Sequence, residues 1–201
     1  MLNLKVVAVT GGVSSGKTSV CHIFKQLGAK VISADKIVHK LLTPQNSIGL
    51  QVIALLGQEI VKGEHIDRSK IASKVFGNPQ LLTQLEQILH PAVREKIARE
   101  IQNEKSHGKV KLLVVEIPLL FEGGFNTNYD AVITVTADDE KCESRFVKAS
   151  KYTSEEYKKR MARQMDPKEK AERADYVIEN NGTLEDLFQA TTKVYNKLIT
   201  L

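Results

Sequence analysis

An α/β fold built on a parallel sheet is what this chain predicts, on three observations. Leu4 to Asp35 run as apolar strand, glycine loop, helix and short strand, the βαβ order that requires parallel pairing. Apolar β-branched runs return at Lys111–Ile117 and Ala131–Thr136 and, more weakly, at Tyr176–Ile178. Between them, Ile37 to Gln102 shows helical spacing without a clean strand, the pattern of a helical insertion beside the sheet.

Each element has a local reason. LKVVAVT at Leu4–Thr10 is apolar throughout, as a strand buried on both faces must be. The helix from about Lys17 to Leu27 puts Val20, Phe24 and Leu27 on one face, with Gly28 as its stop. Val31–Ile32 begins a strand that ends at Ser33-Ala34-Asp35. In the insertion, Ile48, Val52, Leu55 and Leu56 share a face. Asp67, between Ile66 and Ile71, has the spacing of an N-cap with a hydrophobic staple. Asn78-Pro79 reads as a cap with proline at the first helical position, ahead of Leu81, Leu82, Leu85, Ile88 and Leu89. His90-Pro91 predicts a break, with Val93, Ile97 and Ile101 on a further helix. Thr183 is the expected cap of a closing helix with Leu184, Leu187, Phe188, Thr191, Val194 and Leu198 inward.

Composition narrows the function. The 201 residues are 42% hydrophobic, enough for one core with a smaller insertion. The formal charge is +5. Lys141–Arg163 holds Lys141, Arg145, Lys148, Lys151, Lys158, Lys159, Arg160 and Arg163 against Glu143, Glu155 and Glu156, so this polar helical stretch alone carries the excess. A mild positive balance suits an anionic ligand. Aromatics are 5% and Trp is absent, which argues against a single-strand stacking surface, so no nucleic-acid partner is expected. The longest apolar stretch, Leu112–Phe121, is interrupted by Glu116 and too short for a bilayer, and no leader pattern opens the chain; no membrane partner is expected. Cys21 and Cys142 form neither a CxxC pair nor a disulfide framework, so the cytoplasm is the expected compartment. The histidines lack HxH or HxxxH spacing, so no protein-built transition-metal site is expected.

Gly11-Gly12-Val13-Ser14-Ser15-Gly16-Lys17-Thr18 matches GxxxxGK[ST] in full, between a strand and a helix. Glycines let the backbone wrap a phosphate, successive N–H groups form an anion nest, and the helix start adds its positive dipole end. Lys17 reaches β- and γ-phosphate oxygens, and the Thr18 hydroxyl can ligate Mg²⁺. A dinucleotide fold needs GxGxxG, which this loop lacks. A guanine-reading NKxD is missing, since Asn196-Lys197 continues as Leu198-Ile199, and no Asp starts a DxxG switch. A small phosphotransferase is the remaining class.

Such an enzyme must bring an acceptor hydroxyl in line with the γ-phosphate. Asp35, at the end of the second strand, can take the acceptor's proton or orient its lone pair; it can equally cap a helix starting at Lys36. Glu116 ends the third strand, where a Mg²⁺-water contact is expected, or is a polar strand end. Glu122 follows on the same edge as a candidate or a plain loop acid. His90 can cap or pack at a helix corner. Lys141–Arg163 is either a solvated charged helix pair or a lid that brings guanidinium groups to phosphates, with Arg145 the arginine nearest the strand end.

Taken together the residues resemble the dephospho-coenzyme A kinases, P-loop kinases that catalyse the last step of coenzyme A synthesis. The resemblance rests on Thr10-Gly11-Gly12 ahead of the loop, Val31–Asp35, Asp67-Arg68 with Val75-Phe76, His90-Pro91, Pro118–Glu122, Arg160–Gln164, and Ala174–Ile178 running to Asn180-Asn181-Gly182. It implies a P-loop NTPase-type three-layer core with a five-stranded parallel sheet, a helical substrate insertion and a lid. The corresponding segments are 1–40 plus 105–201 for the core, 41–104 for the insertion and 141–165 for the lid. It implies ATP, Mg²⁺ and transfer to the ribose 3′-hydroxyl of dephospho-CoA; a nucleoside or other small-metabolite kinase on the same core is the alternative. Asp35, Lys17 and Arg145 are then the candidate catalytic residues. Gly12, Val13, Ser14, Ser15, Gly16, Lys17, Thr18 and Ser19 are candidate ATP contacts, with Asn180 and Gly182 at the adenine edge. Asp35, Arg68, His90, Arg94, Pro118 and Leu119 are the candidate acceptor contacts. A monomer is expected. The chain departs from the family at Ser33, where a second Asp is usual, and at Lys148, often Arg; lysine keeps charge but loses the bidentate fork.

Overall fold

The computed structural model describes residues 4–125, 128–149 and 152–200. In chain order the elements are β1 (Lys5–Gly11), α1 (Lys17–Gln26), β2 (Lys30–Ser33), α2 (Ala34–Leu41), α3 (Ser47–Leu56), β3 (Val61–Lys62), β4 (His65–Ile66), α4 (Arg68–Val75) and α5 (Pro79–His107). There follow β5 (Leu112–Glu116), β6 (Ala131–Thr136), α6 (Asp139–Ala149), α7 (Ser154–Met161), α8 (Pro167–Glu172), β7 (Tyr176–Glu179) and α9 (Leu184–Thr200). The chain divides into two compact units, Met1–Ser33 with Ile101–Leu201, and Ala34–Glu100. The crossings fall a few residues ahead of the expected 40/41 and 104/105, so Asp35 belongs to the helical unit.

The first unit holds a five-stranded sheet in the order β2-β5-β1-β6-β7, with every pairing parallel. β1 is central because it is apolar on both faces: Val6 to Val9 are all buried. Val7 and Val9 pack with Val20 and Phe24 of α1 and with Leu187, Val194 and Leu198 of α9. Chain order reverses at β1, since β5 lies on one side and β6 on the other. Ligands of open parallel sheets collect beyond the strand ends at such a switch point. The loop after β1 is therefore placed by topology as well as by motif.

α9 starts at a reciprocal cap. Asp186 N donates to Thr183 Oγ1 at 3.2 Å and Thr183 N to Asp186 Oδ2 at 2.8 Å. The expected inward set needs one correction: Leu184 is 78% exposed. It is the first helical residue and precedes the buried stripe of Leu187, Thr191, Val194 and Leu198.

The second unit is helical around Leu42, Val52, Ile53, Leu56, Ile66 and Leu85. Asp67 caps α4 by accepting from Ser69 N at 2.9 Å, with Ile66 and Ile71 in one cluster. Two expectations fail. β3 and β4 form a two-residue antiparallel ladder inside the insertion, too short to leave a periodic signal. The expected break at His90-Pro91 is absent, because α5 runs unbroken through Pro91. Leu85, Val93 and Ile97 are buried in phase on both sides of it. Losing one backbone bond at an exposed proline does not outweigh a continuous apolar stripe. Among the described residues no helix is long and apolar enough to cross a membrane.

Candidate active site

The loop after β1 has the backbone of an anion nest. Ser14 lies at φ 54° and Gly16 at φ 104°, both left-handed, so successive amides turn the same way. Ser15 N closes the turn on Gly12 O at 3.3 Å. Gly16 is the N-cap residue of α1 and has no room for a side chain: a Cβ there would strike the Asn180 amide. Gly11 is equally confined, because its Cβ would meet the Val135 carbonyl of β6. Glycine is thus required at both ends of the loop, each by a positive φ (147° at Gly11, 104° at Gly16) and by close approach. Lys17, the first residue of α1, is buried, and its Nζ donates to Gly12 O at 2.6 Å and Gly11 O at 3.1 Å. Ser15 Oγ is buried with no hydrogen-bond partner among the described residues.

Beside the loop, Thr18 Oγ1 donates to Glu116 Oε1 at 2.8 Å. This joins the expected metal hydroxyl to the acid ending β5. Two hard oxygen donors side by side fit Mg²⁺. Ser33 pairs in register with Glu116, so serine instead of aspartate keeps a like charge from this position.

Asn180, which follows edge strand β7, braces the loop. Its Nδ2 donates to Ser15 O at 2.8 Å, and its own N donates to Thr136 O at 2.8 Å. Its carbonyl accepts from Arg145 Nη2 at 2.8 Å, while Arg145 Nη1 is buried and unpartnered among the described residues. Arg145 is thus oriented through Asn180 toward the loop, with donor capacity left over. The next residues are held by local contacts: Asn181 Oδ1 accepts from Asp138 N at 2.8 Å, and Gly182 lies against the Asp186 carboxylate. A cleft of about 500 Å³ opens between α1 and α9, lined by Thr18, Ser19, His22, Leu184 and Phe188 among others. Exposed Leu184 finds its place there.

α6 and α7 carry the basic stretch, with Lys151 outside the described residues. They share a core of Cys142, Phe146 and Tyr157, against which Val13 of the loop and Met161 pack. Burial, and then donation to Asp139 Oδ1 at 2.6 Å, push the Tyr157 hydroxyl far above its ordinary pKa, so it stays a neutral donor. Arg160 lies over the rings of Tyr152 and Phe146, at 4.4 and 5.2 Å from their centroids.

The turn after β5 carries Pro118 and Leu119. Pro118 O accepts from Thr10 Oγ1 at 3.2 Å and from Lys170 Nζ at 3.2 Å. Lys170 is missed by sequence reasoning, because it stands among Lys168, Glu169 and Glu172 with nothing to mark it as the inward residue of a short helix. Glu122, open to two readings from sequence, is its partner at 2.8 Å.

The other expected acceptor contacts lie in the second unit. Asp35 is exposed in the first turn of α2, which begins one residue earlier, so it is a helical residue and not the N-cap of a helix from Lys36. Arg68 is the exposed first residue of α4. His90 and Arg94 stand one turn apart on α5, and burial, aided by Arg94, holds the imidazole below its ordinary pKa.

Comparison with known proteins places this architecture. The family model described as dephospho-CoA kinase matches residues 5–186. The chain belongs to the dephospho-CoA kinase family. A dephospho-CoA kinase of Protochlamydia amoebophila is 46% identical over 199 residues, covering 98% of each chain. A solved dephospho-CoA kinase from Campylobacter jejuni superposes with a TM-score of 0.70 at 31% identity, covering 97% of each chain. A Thermus thermophilus protein of known structure superposes with a TM-score of 0.81 at 32% identity, covering 98% of each. As a dephospho-CoA kinase family member the chain is an ATP-using phosphotransferase, in agreement with its loop.

Proposed function

We propose that this protein transfers the γ-phosphoryl group of ATP to the ribose 3′-hydroxyl of dephospho-CoA, giving coenzyme A and ADP. The observation that carries the donor half is the complete phosphate loop with Lys17 as the first residue of its helix. The relatives' names supply the acceptor.

In this reading the amides of Gly12 to Thr18 hold the triphosphate, and Lys17 exchanges loop carbonyls for β- and γ-phosphate oxygens. Ser19, Asn180 and Gly182 border the nucleoside. Thr18 and Glu116 would hold Mg²⁺, which supplies charge neutralisation when bound. The acceptor oxygen forms the new bond to phosphorus as the bond to the β-phosphate oxygen breaks, and Asp35 receives the hydroxyl proton. Arg68, Arg94, neutral His90, Pro118 and Leu119 bind the acceptor. α6 and α7 act as the lid, excluding the water that would hydrolyse ATP without product. The protein acts as a monomer in the cytoplasm, a compartment that suits its two buried free thiols.

Incubation with labelled ATP and a panel of hydroxyl acceptors tests the assignment. Label is expected on dephospho-CoA; label on nucleosides and none on dephospho-CoA would overturn it. The lid reading has its own test in Arg145→Lys, which keeps charge and loses the fork. Loss of one charge-assisted hydrogen bond, about 1.5 kcal/mol, lowers kcat about tenfold. Melting within a few degrees of wild type, measured by scanning calorimetry, is the accompanying result; a large drop would make Arg145 a purely structural brace.

A further inference from the structure

We propose that Lys170 is a positioning residue for the acceptor, holding the turn from Pro118 to Phe125 in register with the phosphate loop. The inference rests on the reading of Pro118 and Leu119 as acceptor contacts. The Lys170 side chain is 0% exposed. Its ammonium lies 2.8 Å from Glu122 Oε1 and donates to Pro118 O at 3.2 Å. Both partners are themselves shared. Pro118 O also accepts from Thr10 Oγ1, near the end of β1 before the loop, and Glu122 Oε1 accepts from Met165 N at 2.9 Å. The Lys170 carbonyl accepts from Thr134 Oγ1 of β6 at 3.1 Å, which fixes α8 to the sheet. One buried cation thereby joins the end of β1, the turn after β5 and the backbone leading from the lid into α8.

Stability alone does not explain a charge at this place. Burying an ammonium is costly, and well-packed apolar residues in place of a buried pair are often neutral or stabilising. What the pair supplies is direction. Pro118 has no N–H to donate, so the residue's backbone is held through its carbonyl, by Thr10 and Lys170. Before Pro118 the chain is held differently. Glu116 is in sheet register with Val9, and Ile117 N donates to Val9 O at 2.9 Å. Loosening Lys170 therefore leaves Glu116 and Thr18 in place, leaves the Pro118 carbonyl on the Thr10 hydroxyl alone, and lets Pro118 and Leu119 shift. The donor side should be spared and the acceptor side should suffer.

The test compares Lys170→Met, Glu122→Gln and the double variant with wild type. Lys170→Met alone leaves a partly buried carboxylate unpaired and should melt well below wild type. The double variant removes both charges and should recover most of that melting temperature. A purely structural pair would recover acceptor kinetics along with it. A positioning pair leaves the KM for dephospho-CoA raised about tenfold in the double variant, with the KM for ATP within about twofold of wild type. ADP affinity by titration calorimetry should be unchanged. Wild-type acceptor KM in the stability-recovered double variant, or equal rises in both KM values, overturns the proposal. If the double variant does not fold, Glu122→Gln alone decides on the same split, and an unchanged acceptor KM there overturns it. Wild-type protein that does not turn over dephospho-CoA would instead defeat the functional reading, and this inference with it.

Discussion

Lys17→Met is expected to lower kcat on the order of 10²–10³, the loss seen when one preorganised electrostatic donor is removed from a reacting oxyanion. The side chain is held inside the loop. It is 9% exposed, opens α1, and lies between two carbonyls of its own loop. The pull of a buried ammonium on an anion in the nest strengthens as water leaves, because the same charge acts through a lower effective dielectric. Methionine keeps the four-atom reach and the packing and deletes the charge. Two loop carbonyls lose a donor, so some thermal stability goes as well, and the melting temperature must be recorded beside the rate. The decisive comparison is steady-state kcat against ADP affinity by titration calorimetry. Developing charge on the transferring group should make kcat fall more than affinity does. A kcat within a few-fold of wild type would remove Lys17 from the chemistry and leave it as a strut for the loop.

The parts that were legible from sequence are those in which local chemistry and burial agree. The phosphate loop is written in consecutive residues, and β1 advertises its central place by being apolar on both faces. Capping is local too, and Asp67, Asn78 and Thr183 all accept from the amides that their spacing anticipates. Errors came where a long-range term prevailed. Pro91 suggested a break, yet the helix runs through it because Leu85, Val93 and Ile97 stay in phase. Leu184 suggested core, yet it stands at a helix start on the rim of a cleft. The residues that brace the site were the least visible. Asn180 reaches Ser15 across 165 positions of sequence, and Lys170 reaches Pro118 across 52. Neither bond leaves a trace in periodicity, since one side chain in a polar segment does not reveal which neighbour it faces.

Asp35→Asn is expected to lose on the order of 10²–10⁴ in kcat, the range for a positioned general base. Asparagine is nearly isosteric and keeps a hydrogen-bonding oxygen, so the substitution isolates the ability to receive a proton. Its helix-dipole contribution can be bounded. Asp35 is an exposed acid in the first turn of α2, where a carboxylate near a helix N-terminus contributes about 0.3–1 kcal/mol. The expected kinetic loss corresponds to about 2.7–5.4 kcal/mol, so a helix-dipole effect is too small to produce it. Ser33 sharpens the test, because the residue two positions before Asp35 is not a carboxylate that could take the proton in its place. If Asp35 takes the proton, the acid-side fall of kcat/KM with pH in wild type belongs to it and should be missing from the residual activity of Asp35→Asn. A variant with near-normal turnover, an intact acid limb and an unchanged melting temperature would show that the hydroxyl loses its proton elsewhere. A variant with a large rate loss but an intact acid limb would leave Asp35 orienting the hydroxyl by hydrogen bonding without accepting its proton.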